Sequence, residues 1–131
     1  MAFQYSAAVV NAKLDAVEST TGTAPSLIIY SGAEPANCAA ADPTGVLVTI
    51  VLPSDWMNAA AVATPGPYTK TKLGTWSAAA SGSGTAASWR IKQAATCHIQ
   101  GNMTDMTLDN NVIAVLQIVT VTTFTITGGN A

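Results

Sequence analysis

Apolar positions near the start of the 131-residue chain recur at helical spacing. Val10, Leu14 and Val17 fall four and then three positions apart, behind Ser6, which is a good N-cap, and ahead of a glycine that can end the helix. The spacing predicts a helix over residues 6–20. Because its apolar stripe is narrow, we expect the helix to dock on a sheet or on a neighbouring subunit.

Beyond residue 25 the pattern changes to that of strands. Short β-branched and aromatic runs are separated by turns rich in Gly, Pro, Asn and Asp. We predict strands over 26–31, 45–52, 72–78, 86–92, 96–100, 103–108 and 116–127, a helical turn over 54–61 and a surface loop over 63–71. The run 45–52 is apolar on both faces, which predicts a strand in a sandwich interior or a strand covered by the helix.

One helix followed by many short strands is typical of a mainly β fold. We predict a single antiparallel β-sandwich domain over residues 1–131, jelly-roll-like as first choice and immunoglobulin-like as second, with a flexible tail at 128–131. The length is sufficient for one core without metals or disulfides.

Two details of strand pairing follow from the pattern. In the last strand, Val119 and Val121 share one face, and a β-bulge near residues 122–123 would bring Phe124 and Ile126 to the same face. A regular strand that is buried on both sides is the alternative. Trp76 and Trp89 frame a small-residue turn, and we predict that they pair across a hairpin.

Charge is scarce in this chain. Only 9% of residues are charged and the net charge is −2, whereas about 25% is usual in soluble domains. Five scattered Lys and Arg residues are too few for a nucleic-acid or polybasic membrane partner. The surface must therefore consist of small neutral side chains. That composition favours a chain bound to copies of itself or to a larger assembly, with a robust secreted domain as the alternative.

The cysteines and the N-terminus bear on the cellular compartment. The first residues lack the basic and apolar regions of a signal peptide, so we expect synthesis in a cytosol. Cys38 and Cys97 are then expected to be reduced, small and buried. A long-range disulfide formed after release is the alternative.

Candidate catalytic groups are few. His98 is the only histidine, and its neighbour Cys97 would point to the opposite face of a strand. Asp105 and Asp109 resemble part of a calcium loop but lack its Gly and Glu. We expect no enzyme, no cofactor and no metal site.

The aromatic residues allow two interpretations. We expect Trp76 and Trp89 in the core, and Trp56 with Met57 as an interface anchor alongside the helix stripe. The predicted interface residues are therefore Val10, Leu14, Val17, Trp56 and Met57. A sugar-binding platform is the alternative, formed by Trp56, Trp76, Trp89, Tyr30 and Tyr68.

Several runs together resemble a known group of proteins. They are N-A-K-L-D-A-V-E at 11–18, A-N-C-A-A-A-D at 36–42, L-P-S-D-W-M at 52–57, G-T-W at 74–76, C-H-I-Q-G at 97–101 and F-T-I-T-G-G-N-A at 124–131. The combination resembles small proteins encoded among the virion structural genes of tailed bacteriophages and prophages. The resemblance covers most of the chain and implies a virion component, without supplying a site residue.

The leading hypothesis is a capsid decoration, or cement, protein. It would be made in the bacterial cytoplasm, bind the major capsid protein and copies of itself as a dimer or trimer, and stabilise the head shell. A tail or fibre component is the second hypothesis and an extracellular carbohydrate-binding module is the third.

Overall fold

A computed structural model describes residues 5–60 and 68–128 of the chain. Residues 129–131 of the predicted tail and 63–67 of the predicted loop lie outside the described residues. Helix α1 spans Ala7–Thr21. The Ser6 side chain accepts a hydrogen bond from the Val9 amide at 3.3 Å and caps its first turn, which confirms the predicted helix.

The rest of the described chain is mainly β and antiparallel, as predicted. The strands are β1 Ser26–Tyr30, β2 Val46–Val51, β3 Tyr68–Thr71, β4 Ser77–Ala79, β5 Gly84–Thr85, β6 Ser88–Gln93, β7 Thr96–Asn102, β8 Met106–Leu108, β9 Val112–Ile113 and β10 Ile118–Gly128.

Two sheets face each other across one apolar core. The first has the strand order β2-β1-β6-β7. In the second, β3, β4 and β8 each pair with a different stretch of the long strand β10, and β5 pairs separately with β9. Buried side chains from both sheets form the core, among them Ile29, Ile50, Ile91, Val119 and Val121. Burial of apolar surface is the main stabilising contribution to such a fold.

The irregularity predicted in β10 is present. The pairing of β10 with β8 shifts register between Val121 and Thr123. Val119, Val121 and Phe124 are therefore all buried, although a regular strand would turn Phe124 to the opposite face. This bulge keeps an 11-residue strand packed against the core.

Three predictions about residues 54–78 are wrong. No helical turn forms at Trp56, where the chain has bends and an isolated bridge between Met57 and Lys72. Residues 68–71 of the predicted loop form β3, because β10 offers them an antiparallel partner. The strand predicted at 72–78 is reduced to β4, with Leu73 exposed ahead of it.

The predicted tryptophan hairpin is wrong, whereas strand β2 contributes Leu47, Val48 and Ile50 to the core between the sheets, as the first alternative for residues 45–52 predicted. β4 pairs with β10 and not with β6, so Trp76 and Trp89 do not pair across a hairpin. Each ring instead packs on Phe124, at 5.4 and 5.2 Å between centroids. β2 lies at the edge of its sheet, and Val51 on its outer face is 69% exposed.

Candidate interaction surfaces

Four of the five predicted interface residues lie inside the fold. Val10, Leu14, Trp56 and Met57 are at most 4% exposed, so their side chains are not available to a partner. The helix stripe covers Tyr68 and Ala60 within the same chain. Val17 is half-buried and lines a groove beside the helix. The prediction mistook an intramolecular docking face for an intermolecular one, because the periodicity is the same in both cases.

An aromatic sugar-binding platform is not available either. Trp56, Trp76, Trp89, Tyr30 and Tyr68 are all buried. The three indole N–H groups donate to backbone carbonyls, of Gly22 at 3.0 Å, Leu73 at 3.1 Å and Asn102 at 2.8 Å. The tryptophans are therefore core residues with satisfied polar atoms, as expected for Trp76 and Trp89.

The two cysteines are joined, contrary to the prediction of reduced, buried thiols. Cys38 and Cys97 form a disulfide whose Cα atoms are 5.3 Å apart, within the usual range. Both residues are half-buried. The bond ties the long connection between β1 and β2 to strand β7. The prediction failed because the separation of 59 positions says nothing about proximity in space.

Arg90 fixes the same connection from beneath. Its side chain is buried on the outer side of the first sheet, and it donates to Asp42 at 2.8 Å and to the carbonyls of Asn37 and Ala40 at 3.1 Å. A hydrogen bond from Lys92, together with Arg90, lowers the pKa of Asp42. The connection is thus a covalently and ionically fixed cover on that sheet. Composition gave no indication of it, because a lone buried arginine has no sequence pattern.

A second ionic cluster anchors α1. Lys70 on β3 is buried and donates to Asp15 at 2.7 Å and to the Asn58 carbonyl at 2.9 Å, and it lies 3.0 Å from Glu18. Burial opposes its charge, but the hydrogen bonds to Asp15 and Glu18 outweigh burial and raise the pKa of Lys70. The pKa of Asp15 is lowered most by a hydrogen bond from the Ala60 amide, and next by one from Lys70. These groups fasten the helix to the sheet.

The remaining candidate groups are one histidine and two aspartates, and the aspartates accept hydrogen bonds from backbone amides. His98 is exposed, and its neighbour Cys97 is in the disulfide. Asp105 accepts from the Asn102 amide, and Asp109 accepts from the amides of Asn110 and Thr120. Within residues 5–60 and 68–128, no group of three or more His, Cys, Asp or Glu side chains is placed to hold a metal ion.

The second sheet presents an uncharged outer face. Its strand positions alternate with the buried Lys70 and Phe124 and the half-buried Ile126. Across neighbouring strands, threonine faces threonine. The pairs are Thr69 with Thr127, Thr71 with Thr125 and Thr107 with Thr123, continued by Ser77 with Thr120 and Ala79 with Ile118. We call these ten residues the threonine face. Most of them are exposed. The sequence pattern indicated only strand β10 of this face, because its partner strands β3, β4 and β8 come from three separate segments of the chain.

No helix among the described residues is long and apolar enough to cross a membrane.

Comparison with known proteins identified no relative of this chain. No protein-family model matches the chain, and searches of curated proteins and of solved structures found no match.

Proposed function

We propose that this chain is a structural component of a bacteriophage particle that decorates the head and cements its shell. It binds the major capsid protein and copies of itself on the capsid surface, and it performs no catalytic step and needs no cofactor. Several runs of its sequence resemble proteins encoded among virion structural genes, and this resemblance supports a place in a phage particle. The threonine face supports the mode of action.

The threonine face is the observation that carries the proposal. Protein contact surfaces are depleted of charged residues at their centre, because desolvating a charge without a partner is costly. The threonine face has no charged side chain at any of its ten strand positions. Threonine on a strand also loses little side-chain freedom on binding, since its branched side chain is already restricted. A face of uncharged side chains with little freedom to lose suits repeated lateral contact on a shell.

The disulfide on the first sheet supports the proposal that the outer side of this sheet is exposed to an oxidising medium. The Cys38–Cys97 disulfide and the buried Arg90 fix its cover, and disulfides persist in oxidising surroundings. In the proposal the chain is made in the host cytoplasm and acquires this bond on release. The outer cover then faces the medium, and the threonine face lies toward the shell.

The proposal is tested on phage particles prepared with and without the chain. Decoration predicts that particles lacking it lose infectivity faster on heating, because a subunit that binds only the assembled shell stabilises that state. Adding purified chain back should restore the resistance. Unchanged inactivation rates would contradict cementing, and a copy number far below that of the shell protein would favour a tail or fibre role.

A matched pair of variants tests the threonine face. Thr125→Arg places a charge at its centre, opposite Thr71. Thr49→Arg places the same charge on an exposed strand position of the other sheet. We expect Thr125→Arg to abolish the restored heat resistance and Thr49→Arg to preserve it. Equal behaviour of the two variants would show that another surface contacts the shell.

A further inference from the structure

An apolar turn projects at the start of β10. We call residues 114–118 the knob. Val115, Leu116 and Ile118 are exposed, and Leu116 is the most exposed large apolar residue described, at 79%. A single exposed apolar side chain is ordinary on a protein surface, but three of them on one short turn form a contiguous patch that is a candidate contact site.

The knob is held rigidly in an unfavourable conformation. Leu116 has φ +69°, a left-handed conformation that costs a residue with a Cβ atom free energy. Hydrogen bonds nevertheless fix the turn: the Leu116 amide donates to Ala80 O at 2.8 Å and the Val115 amide donates to Ser83 Oγ at 2.9 Å. The Gln117 amide also donates to Ala114 O at 3.0 Å. Strain maintained by surrounding structure is characteristic of functional positions.

An apolar groove lies at the other end of the same strand. It has a volume of about 460 Å³ and runs between α1 and strands β7 and β10. Ala16 and Val17 of the helix and Ile99 and Ile126 of the strands line it. The pocket is of the size that accepts small groups of apolar side chains, since ligand pockets generally begin at about 300 Å³.

Strand geometry prevents a molecule from filling its own groove. From Ile118 to Ile126 the strand advances about 3.3 Å per residue, so the knob and the groove are about 25 Å apart. The knob and the groove of one chain lie at opposite ends of β10. We propose that the knob of one copy inserts into the groove of the next copy, which gives a head-to-tail contact between identical chains.

The lack of charge on the knob means that two copies do not repel each other at this contact. Residues 110–128, which carry the knob, contain no ionisable side chain. Lys13 and His98 are the two ionisable residues that line the groove, and its other lining residues are apolar or threonine. An incoming knob therefore brings no like charge toward Lys13, which is exposed and keeps its contact with the Tyr5 ring, 4.2 Å from the ring centroid.

The size of the knob predicts weak association. Its three exposed apolar residues offer an area on the order of 300 Å², well below the roughly 800 Å² per partner of a standard interface. Copies in free solution should thus associate only at high concentration. In an assembly that holds many copies side by side, each such contact is strengthened by effective concentration. The inference concerns contact between copies and holds whatever particle they belong to.

The experiment is sedimentation velocity of the purified full chain over a wide range of concentration. The wild type should rise above its monomer mass of 13.3 kDa as concentration increases. Leu116→Asn, which tolerates the left-handed conformation, and Ala16→Glu, which fills the groove, should each remain monomeric. Val51→Asn and Ala8→Glu are the matched controls, exposed positions outside knob and groove, and should associate like the wild type.

Mixing the two defective variants gives the decisive result. Leu116→Asn retains a groove and Ala16→Glu retains a knob, so the mixture should form dimers that grow no further. Circular dichroism of each variant verifies the fold. A wild type that is monomeric at every concentration, an Ala16→Glu variant that associates normally, or a mixture that stays monomeric would each overturn the head-to-tail contact.

Discussion

Removal of the Cys38–Cys97 bond is the perturbation whose cost follows most directly from the structure. The disulfide closes a loop across 59 positions of sequence, from the β1–β2 connection to β7. In the unfolded chain this cross-link removes a large share of the accessible conformations. Replacing both cysteines by serine restores those conformations and so lowers the free energy of unfolding.

The loop length sets the expected magnitude. In the chain-entropy model, a closed loop of about 60 residues corresponds to about 4 kcal/mol at 25 °C. A domain of this length has a total stability of about 7–20 kcal/mol, so the variant should still fold. Arg90 continues to bind Asp42 and the Asn37 and Ala40 carbonyls in the variant, which keeps the connection in place. At roughly 4 °C per kcal/mol, the Tm should fall by about 15 °C.

The assay compares denaturant and thermal unfolding of the wild type and the Cys38→Ser/Cys97→Ser variant. Each protein is measured with and without a thiol reductant. We expect the reductant to lower the stability of the wild type to that of the variant and to leave the variant unchanged. Intact mass and thiol titration of the unreduced wild type should show no free thiol.

Two results would refute this reasoning. Two free thiols in wild-type protein purified under oxidising conditions would show that the bond does not form. A stability loss below about 1 kcal/mol in the double-serine variant would show that the loop-closure contribution is absent.

Four further predictions concern the helix anchor, the aromatic core and the knob. Because the pKa of Asp15 is lowered in the folded protein, its stabilising contribution is present above the ordinary value of 3.8 and is lost as pH falls through the folded pKa. Asp15→Asn should therefore flatten the acid limb of stability against pH, measured by urea midpoints, and an unchanged slope would argue against the helix anchor. Lys70→Met should cost about 1 kcal/mol in urea unfolding, because the Asn58 carbonyl loses its hydrogen-bond donor while Asp15, 46% exposed, can be solvated; a stabilising effect would contradict this. Phe124→Ala should cost about 4 kcal/mol and alter tryptophan fluorescence, since two indoles pack on that ring; unchanged fluorescence would place the rings elsewhere. Leu116→Asn should raise stability by about 1 kcal/mol in thermal unfolding, by relieving the left-handed strain, and a loss would show that Leu116 supports the fold.

The parts of the fold predictable from sequence are those encoded locally. The Ser6 cap and the Val10 and Leu14 spacing fixed the position of α1. Alternation in the last strand located the bulge near Thr123, because the side-chain period of a strand is two and any phase change must be absorbed by an extra residue.

The parts that failed depend on partners distant in sequence. Nothing near Tyr68 indicates that β10 will pair with it, and the turn residues preceding it favoured a loop. The Cys38–Cys97 bond and the burial of Arg90 likewise depend on how the β1–β2 connection folds over β6 and β7.

The candidate surfaces illustrate the same limit. The apolar stripe of α1 and the pair Trp56–Met57 were predicted to contact a partner, but Val10, Leu14, Trp56 and Met57 are buried within the same chain. The threonine face requires three strands from separate segments, so its width was not evident from any one of them.

Decoration of the head is tested by locating the chain on phage particles. Cryo-electron microscopy of purified particles, compared with particles lacking the chain, would show difference density wherever the chain binds. The account predicts density for this β domain repeated over the outer surface of the head, with the threonine face toward the shell protein. Difference density absent from the head shell would contradict it.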